Sequence, residues 1–525
     1  MIAALSGMPH SKGWHQVFLL PQILASLTVL PITSATSSLT WPDWRLTVVK
    51  QESRQRYRIT PTNTRAILPE LFPPPPQHVA ATTARRAGRI ALSVLALAVG
   101  AVTMLLRIAG RSPLSTIWAE DRTVFLVQAL AQPWHLFSAY AGYLELLPRL
   151  IAQFVTFLPL RDASAAFAIS GALTASAAAL FVFYASAGHV RSGWLRALLA
   201  AAILLLPTAP LEIADSGVNT PWYLLFALFW AALWRPRTGR AMALAALIAF
   251  LAGVSTPMAL AIAPLLALRM VALPRIREHA VTAGLAAGLL LQVPVIESAR
   301  NSRVNQLASP GGVMDFVEHD VVLPALGWHL DWWLQSAVGR NGATVLVGCV
   351  LAAVFCAIAA TQPARVRLLA AAALVCGFLL AAAAASLSRW VTTDAVHFHI
   401  EPGSRYTALP IFLMEAAVIV AVDSILRRAR DRVMADDQAP AFGVTPWTGW
   451  VRARGATAAV TALVVVLSVG WITDFRNGNG RAGGTVWAPI ASRWLTDCQR
   501  TPRGAIRVAS LEVGSVVIRC SSLRR

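Results

Sequence analysis

The 525-residue chain carries little charge. Aspartate, glutamate, lysine and arginine together make up 13% of the residues, against about 25% in a typical soluble domain. Apolar residues make up 56% of the chain, and the mean hydropathy is +0.59. This composition excludes a soluble globular enzyme and a disordered chain, because both need far more polar residues in contact with water.

Cysteine and lysine are also scarce. The five cysteines show no CxxC spacing, which excludes a disulfide scaffold and a zinc site of that type. Lysine occurs only at Lys12 and Lys50, so arginine supplies nearly all of the net charge of +20. The arginines lie in short clusters between apolar runs, and we therefore expect no nucleic-acid binding. A glycine-rich loop for nucleotide phosphates is missing too, which disfavours a soluble nucleotide-sugar donor.

Apolar runs of about 20 residues recur along the chain, and each is long enough to cross a bilayer. They predict an all-α fold, a multi-pass transmembrane helical bundle of about eleven spans. Arginine clusters follow every second run, which predicts an N-terminus inside and a C-terminus outside. The predicted spans are 90–108, 163–187, 195–213, 221–234, 240–256, 258–273, 279–297, 342–361, 367–388, 406–425 and 455–475.

The regions outside these spans differ in character. Residues 1–85 are predicted to be a poorly ordered N-terminal extension with a polyproline run, and residues 86–475 form the transmembrane domain. Its long external loops are 109–162 and 298–341, with a shorter one at 389–405. Within the first loop, 124–131 suits an interfacial amphipathic helix, and 143–160 suits a re-entrant or interfacial one.

Residues 476–525 are predicted to be a small external segment. Cys498 and Cys520 both lie in it, and a disulfide between them is expected outside the cell. The other three cysteines fall within spans, where a thiol behaves as a small apolar side chain.

The polar residues collect in the predicted external loops. The first loop contains Glu120 and Asp121, followed by Arg122, which we expect to contribute to substrate binding. A pair of carboxylates can accept a proton from a hydroxyl nucleophile. The alternative is a solvated loop with an ion pair to Arg122.

A second polar group lies between the third and fourth predicted spans. It contains Glu212, Asp215, Asn219 and Trp222. Tryptophan is common at membrane interfaces, but a carboxylate beside lipid costs free energy unless it has a partner. We therefore expect this group to contribute to substrate binding.

A third polar group precedes the tenth predicted span. His397, His399 and Glu401 alternate, so an extended loop would present them on one side, where they could bind a divalent metal or a substrate. Arg405 and Tyr406 begin the span from outside, against the usual distribution of arginine. Such an arginine suits a lipid phosphate through bidentate hydrogen bonds, the alternative being an ion pair with a headgroup or a loop carboxylate.

The chain resembles the GT-C superfamily of integral-membrane glycosyltransferases, in particular its actinobacterial members. The features that carry this resemblance are the predicted topology, the Glu120-Asp121 pair in a long first external loop, the Arg405-Tyr406 step and the small external tail. The resemblance implies a bacterial plasma-membrane enzyme with a polyprenyl-phosphate sugar as donor and a hydroxyl of a cell-envelope glycan or lipid as acceptor. It implies that Asp121 is the general base, with Glu120 able to share or replace that role. Arg405 would neutralise the leaving phosphate. Members differ in metal dependence, so the cofactor stays open.

Two alternatives share the predicted spans. A transporter or flippase of lipid-linked saccharides would need ionisable residues within the membrane, where Glu415 is the clearest example. A polymerase or ligase of such saccharides would depend on His397, His399 and Arg405 in the late loop. Activity that depends on Asp121 rather than on His397 favours the glycosyltransferase.

Overall fold

The fold is built almost entirely of α-helices. The computed structural model describes residues 68–74, 83–300, 310–387, 404–436, 446–477, 484–500, 504–510 and 514–523. Over these residues, six helical stretches have the length and apolar composition to cross a membrane, and the predicted all-α membrane bundle is confirmed at that level. The six are Arg86–Leu105, Leu160–Gly188, Ile276–Glu297, Trp328–Thr361, Ala364–Ala385 and Arg405–Asp431.

Two short antiparallel hairpins accompany the helices. The strands are β1 (Ala139–Tyr140) with β2 (Tyr143–Leu144), and β3 (Ala505–Ser510) with β4 (Gly514–Arg519). The helices are α1 (Thr83–Leu105), α2 (Val127–Ala131), α3 (Leu146–Val155), α4 (Ala163–Ala185), α5 (Gly193–Leu205), α6 (Ala209–Glu212), α7 (Thr220–Leu233), α8 (Gly239–Ser255), α9 (Ala263–Ala272), α10 (Ala280–Arg300), α11 (Pro310–Phe316), α12 (Trp328–Thr361), α13 (Ala364–Leu387), α14 (Ser404–Asp436), α15 (Pro446–Thr473) and α16 (Trp487–Arg500).

Helical residues occupy most of each predicted span, but three helices extend well beyond their predicted bounds. Helix α14 ends at Asp436 instead of 425, and α15 begins at Pro446 instead of 455. Helix α12 begins at Trp328 instead of 342, and it is kinked at Gly339, where φ is 76°. Glycine accepts this conformation because it has no Cβ. Part of the predicted loop 298–341 is therefore helical, and its tryptophan-rich stretch forms the first turns of α12.

The arginine-rich loops meet at one end of the bundle, called the basic end below. Asp423 of α14 accepts hydrogen bonds from the backbone N–H groups of Arg191 (3.1 Å) and Ser192 (3.0 Å). The guanidinium of Arg428 donates to the carbonyl oxygen of Thr361 at 2.7 Å. These contacts join the loops that follow α4 and α12 to the last turns of α14.

The opposite end of the bundle brings together the last residues of α1 and α15. The backbone N–H of Ala109 donates to the carbonyl oxygen of Asn477 at 3.1 Å. Arg107 is fully buried there and donates to the carbonyl oxygens of Leu204 (2.9 Å) and Leu206 (2.8 Å). A buried arginine is tolerated because these carbonyls occupy its N–H groups.

The first loop and the C-terminal segment share a hydrophobic core of their own. It contains Val124 to Val127, Trp487, Trp494 and both Cys498 and Cys520. The indole N–H of Trp487 donates to the carbonyl oxygen of Leu160 at 2.6 Å. The stretch 124–131 is therefore buried against this segment, and its prediction as a surface helix is wrong. Its periodic apolar residues face a protein core instead of lipid.

The predicted Cys498–Cys520 disulfide is present. It joins α16 to the residue after β4, with a Cα–Cα distance of 5.2 Å. Helix α3, within the stretch 143–160, has ten residues. At 1.5 Å per residue it is about 15 Å long, half the thickness of a hydrocarbon core.

Helices α8 and α10 approach closely at small residues. A Cβ at Gly284 would overlap the carbonyl oxygen of Ala246, and one at Gly288 would lie 2.5 Å from the carbonyl oxygen of Phe250. Glycines four residues apart allow such backbone contact between membrane helices. This packing holds Gln292 of α10 against the first loop, at Leu144.

We expect Gly284→Ala to lower the free energy of unfolding by about 1–3 kcal/mol, because the added methyl group forces α8 and α10 apart. The measurement is the unfolding temperature of the purified protein in detergent. Gly348→Ala is the matched control, since a Cβ at this helical glycine meets no atom within 4 Å. Equal unfolding temperatures for the two variants would contradict the close packing.

Candidate functional site

A small hairpin positions two polar residues of the first loop. Strands β1 and β2 are joined by Ala141 and Gly142, which have φ values of 50° and 91°, as a tight two-residue hairpin turn requires. The side chain of Gln292 accepts from the backbone N–H of Leu144 (2.8 Å) and donates to its carbonyl oxygen (3.1 Å). Tyr143 and the residue that precedes α3 are thereby fixed against α10.

Arg405 forms an ion pair with Glu212 at the start of α14. Its Nη1 lies 3.1 Å from Glu212 Oε1, and its backbone N–H donates to Oε2, also at 3.1 Å. The arginine side chain is 19% exposed and the glutamate 6%. The carboxylate thus neutralises the guanidinium and satisfies an N–H in the first turn of the helix, which has no partner within the helix.

Two aromatic rings lie beside this ion pair. The guanidinium carbon of Arg405 is 5.1 Å from the centroid of the Tyr406 ring. The ring of Trp222 meets Tyr406 edge-to-face, with centroids 5.3 Å apart. The rings form an apolar wall that limits the positions Arg405 can adopt. Aromatic rings of this type can also pack against a sugar ring or a lipid chain.

Glu145 is a buried carboxylate next to the ion pair. It is 4% exposed, and its Oε2 has no hydrogen-bond partner among the described residues. Burial raises the pKa of Glu145 to about 8, although the hydroxyl of Tyr143 and the charges of Arg405 and Arg149 act in the opposite direction. The charge of Glu120 adds to the increase. Glu145 therefore holds a proton at neutral pH.

These residues define the Arg405 cluster, which unites the first loop, the end of α6, the first turn of α7 and the start of α14. Glu120 is partly exposed and lies within electrostatic range of both Arg405 and Glu145. The cluster combines a cation, three carboxyl groups and an aromatic wall at one end of the bundle. Its members are Glu120, Tyr143, Glu145, Glu212, Trp222, Arg405 and Tyr406.

We expect the protein to lose stability as the pH rises from about 4.5 to about 8. The unfolded chain releases the proton of Glu145 near pH 4.5, whereas the folded chain keeps it up to about 8. Glu145→Gln should remove this contribution, so its unfolding temperature should fall less than that of the wild type between pH 5 and pH 8. The exposed Glu70 supplies the control variant Glu70→Gln, and parallel pH profiles for all three proteins would contradict the assignment.

Asp121 differs from its neighbour Glu120 in its surroundings. It is fully buried, and its two oxygens accept hydrogen bonds from the backbone N–H groups of Gly217 (2.9 Å) and Val218 (2.8 Å). A Cβ at Gly217 would lie 2.7 Å from the ring of Phe167, so the turn fits only with glycine at this position. Asp121 thus anchors the loop before α7 to the first loop.

The other predicted residues of this loop are also buried. Asn219 donates through Nδ2 to the carbonyl oxygen of Glu212 (3.0 Å) and to Ser216 Oγ (3.3 Å), which fixes the backbone of Glu212. Asp215 is fully buried in a left-handed conformation, with φ of 55°, and interacts electrostatically with Arg107. Neither side chain lies at the surface of the cluster.

The remaining predicted residues fall outside the cluster or outside the described chain. Arg122 is partly exposed. His397, His399 and Glu401 lie outside the described residues, so the metal hypothesis stays a prediction. Over the ranges that the structure covers, no group of three histidine, cysteine, aspartate or glutamate residues could hold a metal ion.

Sequence reasoning missed Glu145 and Arg107. Both carry a signal in the sequence, because Glu145 interrupts an apolar stretch and Arg107 lies at the predicted outer end of the first span. A charged residue in such a place needs a partner. The identity of that partner depends on the fold.

Comparison with known proteins gives no relative. No family, curated protein or solved structure matches the chain. The site is therefore defined by its own geometry.

Proposed function

We propose that the chain is a membrane glycosyltransferase of the GT-C type. It transfers a sugar from a polyprenyl-phosphate donor to a hydroxyl of a cell-envelope glycan or lipid, on the external face of a bacterial plasma membrane. The observation that carries this proposal is Arg405, held by Glu212 at the start of an apolar helix and within electrostatic range of Glu120 and Glu145 of the first loop. A cation beside carboxylates at a helix end suits a phosphate leaving group and a hydroxyl acceptor.

The proposed topology has eleven crossings, with the basic end in the cytoplasm. The contacts of Asp423 and Arg428 at the basic end, and of Arg107 and Ala109 at the opposite end, support an alternating course of the chain. Arginine-rich loops remain on the cytoplasmic side of a membrane. The Arg405 cluster then faces outward.

Arg405 is proposed to neutralise the leaving group. As the bond between the anomeric carbon and the phosphate oxygen breaks, negative charge accumulates on polyprenyl phosphate. A fixed guanidinium stabilises that charge more in the transition state than in the bound donor. Glu212 and the Tyr406 ring keep the guanidinium in place before the reaction, which lowers the cost of reorganisation.

Glu120 is proposed as the general base. Asp121, which the resemblance implies for this role, accepts two backbone hydrogen bonds and is fully buried. Glu120 is partly exposed and interacts electrostatically with the guanidinium of Arg405. It takes the proton of the acceptor hydroxyl as that oxygen bonds to the anomeric carbon and polyprenyl phosphate departs, in a single displacement that inverts the configuration. Glu145, which holds a proton at neutral pH, can donate a hydrogen bond to a substrate oxygen.

The test measures sugar transfer in proteoliposomes that contain the purified protein, with labelled polyprenyl-phosphate sugars and, separately, labelled nucleotide sugars. We expect transfer from the lipid-linked donors alone. Tyr406→Ala should reduce it about tenfold, because Arg405 loses the ring that restrains it, an effect of about 1.4 kcal/mol. Tyr184→Ala is the control, since Tyr184 lies in the last turn of α4 and its hydroxyl is hydrogen-bonded to Ser93. Absence of transfer from every lipid-linked donor would contradict the proposal.

A transporter of lipid-linked saccharides is the second candidate. Glu415 favours it, because this carboxylate is 9% exposed within α14, and its Oε2 has no hydrogen-bond partner in the described part of the chain. Buried carboxyl groups within the membrane often mark a transport path. Movement of a labelled donor across the bilayer that is lost in Glu415→Gln, without any sugar transfer, would favour the transporter.

A further inference from the structure

A cavity of about 240 Å³ opens at the basic end, far from the Arg405 cluster in the fold. It lies between the loop that follows α7 and the loop that follows α9, with Pro74 on one side. Five arginines line it, and Glu278 is the carboxylate among the lining residues. The arginines are Arg235, Arg237, Arg269, Arg275 and Arg277.

Two of the arginines build the wall of the cavity. Arg269 is 1% exposed and donates to the carbonyl oxygens of Ala232 (2.6 Å) and Glu278 (2.9 Å). Arg235 forms an ion pair with the Glu278 side chain at 2.6 Å. These bonds join the two loops, so the cavity has a fixed shape without a ligand.

The other three arginines, Arg237, Arg275 and Arg277, are exposed along the cavity. The lining of the cavity contains five arginines and one carboxylate, so it carries an excess of positive charge. Guanidinium groups bind phosphate oxygens in a planar, bidentate geometry. The cavity is therefore complementary to a phosphate group.

Exposed apolar residues lie next to these arginines. Met270 is 53% exposed, Val271 68% and Ile276 86%. Val271 and Met270 lie in the last turn of α9, and Ile276 stands between Arg275 and Arg277 in the sequence. Exposed apolar side chains that adjoin the arginines of the cavity in the sequence suit acyl chains, whereas a free phosphate has no use for them.

We propose that this cavity binds the headgroup of an anionic phospholipid from the leaflet at the basic end. The phosphate lies among Arg237, Arg275 and Arg277, and the acyl chains lie along Val271 and Ile276. Cation-rich pockets between membrane helices recognise anionic lipids in this way. The inference does not depend on the proposed glycosyl transfer.

The test counts lipids bound to the purified protein by native mass spectrometry, with phosphatidylglycerol and phosphatidylcholine added in turn. Arg275→Gln/Arg277→Gln should weaken phosphatidylglycerol binding at least fivefold. Arg367→Gln/Arg430→Gln is the matched control, because it removes two exposed arginines from the basic end outside the cavity. It should change binding less than twofold.

Three outcomes would overturn the proposal. Equal losses in the two double variants would show attraction by net charge alone. Phosphatidylcholine bound as tightly as phosphatidylglycerol would show that the anionic headgroup is not recognised. Inorganic phosphate that displaces the lipid at low millimolar concentration would assign the cavity to a soluble anion.

Discussion

Glu120→Gln is expected to lower the turnover number for sugar transfer by about 10²–10⁴, the usual contribution of a general base. Glutamine has nearly the same size but cannot take the proton of the acceptor hydroxyl. The unfolding temperature should change little, because the side chain is partly exposed. The measurement is the initial rate of transfer from a saturating labelled donor, together with the unfolding temperature of the same preparation.

Asp121→Asn is the informative comparison for this variant. One asparagine oxygen replaces two carboxylate oxygens, so a backbone N–H of Gly217 or Val218 loses its acceptor in a buried place. Activity and unfolding temperature should therefore fall together, with a loss of about 2–3 kcal/mol in the free energy of unfolding. Wild-type transfer by Glu120→Gln would exclude Glu120 as the base.

Arg405→Ala is expected to reduce the turnover number by about 10²–10³, as does the removal of other groups that stabilise charge in a transition state. Arg405→Lys should recover only part of this loss, because an ammonium group lacks the planar fork that binds two phosphate oxygens. Arg428→Ala is the control on the same helix, since Arg428 lies at the basic end. The measurement is the rate of transfer from the same labelled donor.

A structural effect of Arg405→Ala can be separated from a catalytic one. The single variant leaves Glu212 buried and without its cation, which is destabilising. The double variant Arg405→Ala/Glu212→Ala removes both charges and should recover most of the unfolding temperature but none of the activity. Recovery of transfer in the double variant would contradict a role of Arg405 at the phosphate.

The helices could be predicted from the sequence because the conformation of each apolar run depends mainly on the residues within that run. The Arg405–Glu212 ion pair could not, since the two residues are 193 positions apart and each has several possible partners. The buried stretch 124–131 shows the same limit. Its apolar periodicity is correct for a helix, but periodicity does not distinguish a protein core from lipid.

Glu120 and Asp121 show that the roles of two adjacent carboxylates can be distinguished only in the folded structure. The sequence offers the two carboxylates as one pair, and either fits an acid–base role. Successive side chains in a helical turn point about 100° apart, so Asp121 faces the turn at Gly217, whereas Glu120 points away from it and interacts electrostatically with Arg405. The sequence predicts the pair, and the fold distinguishes its members.

The core shared by the first loop and the C-terminal segment has a consequence for biosynthesis. The residues that complete the packing around Val124 to Val127 lie at 487–523 and are therefore synthesised long after the loop itself. At about 5–20 residues per second, the ribosome needs tens of seconds to reach them after the first loop has been made. The loop with Glu120 therefore lacks part of its core until residues 487–523, which the Cys498–Cys520 disulfide joins, have been made. Packing of the candidate site is thus completed only after residues 487–523 have been made.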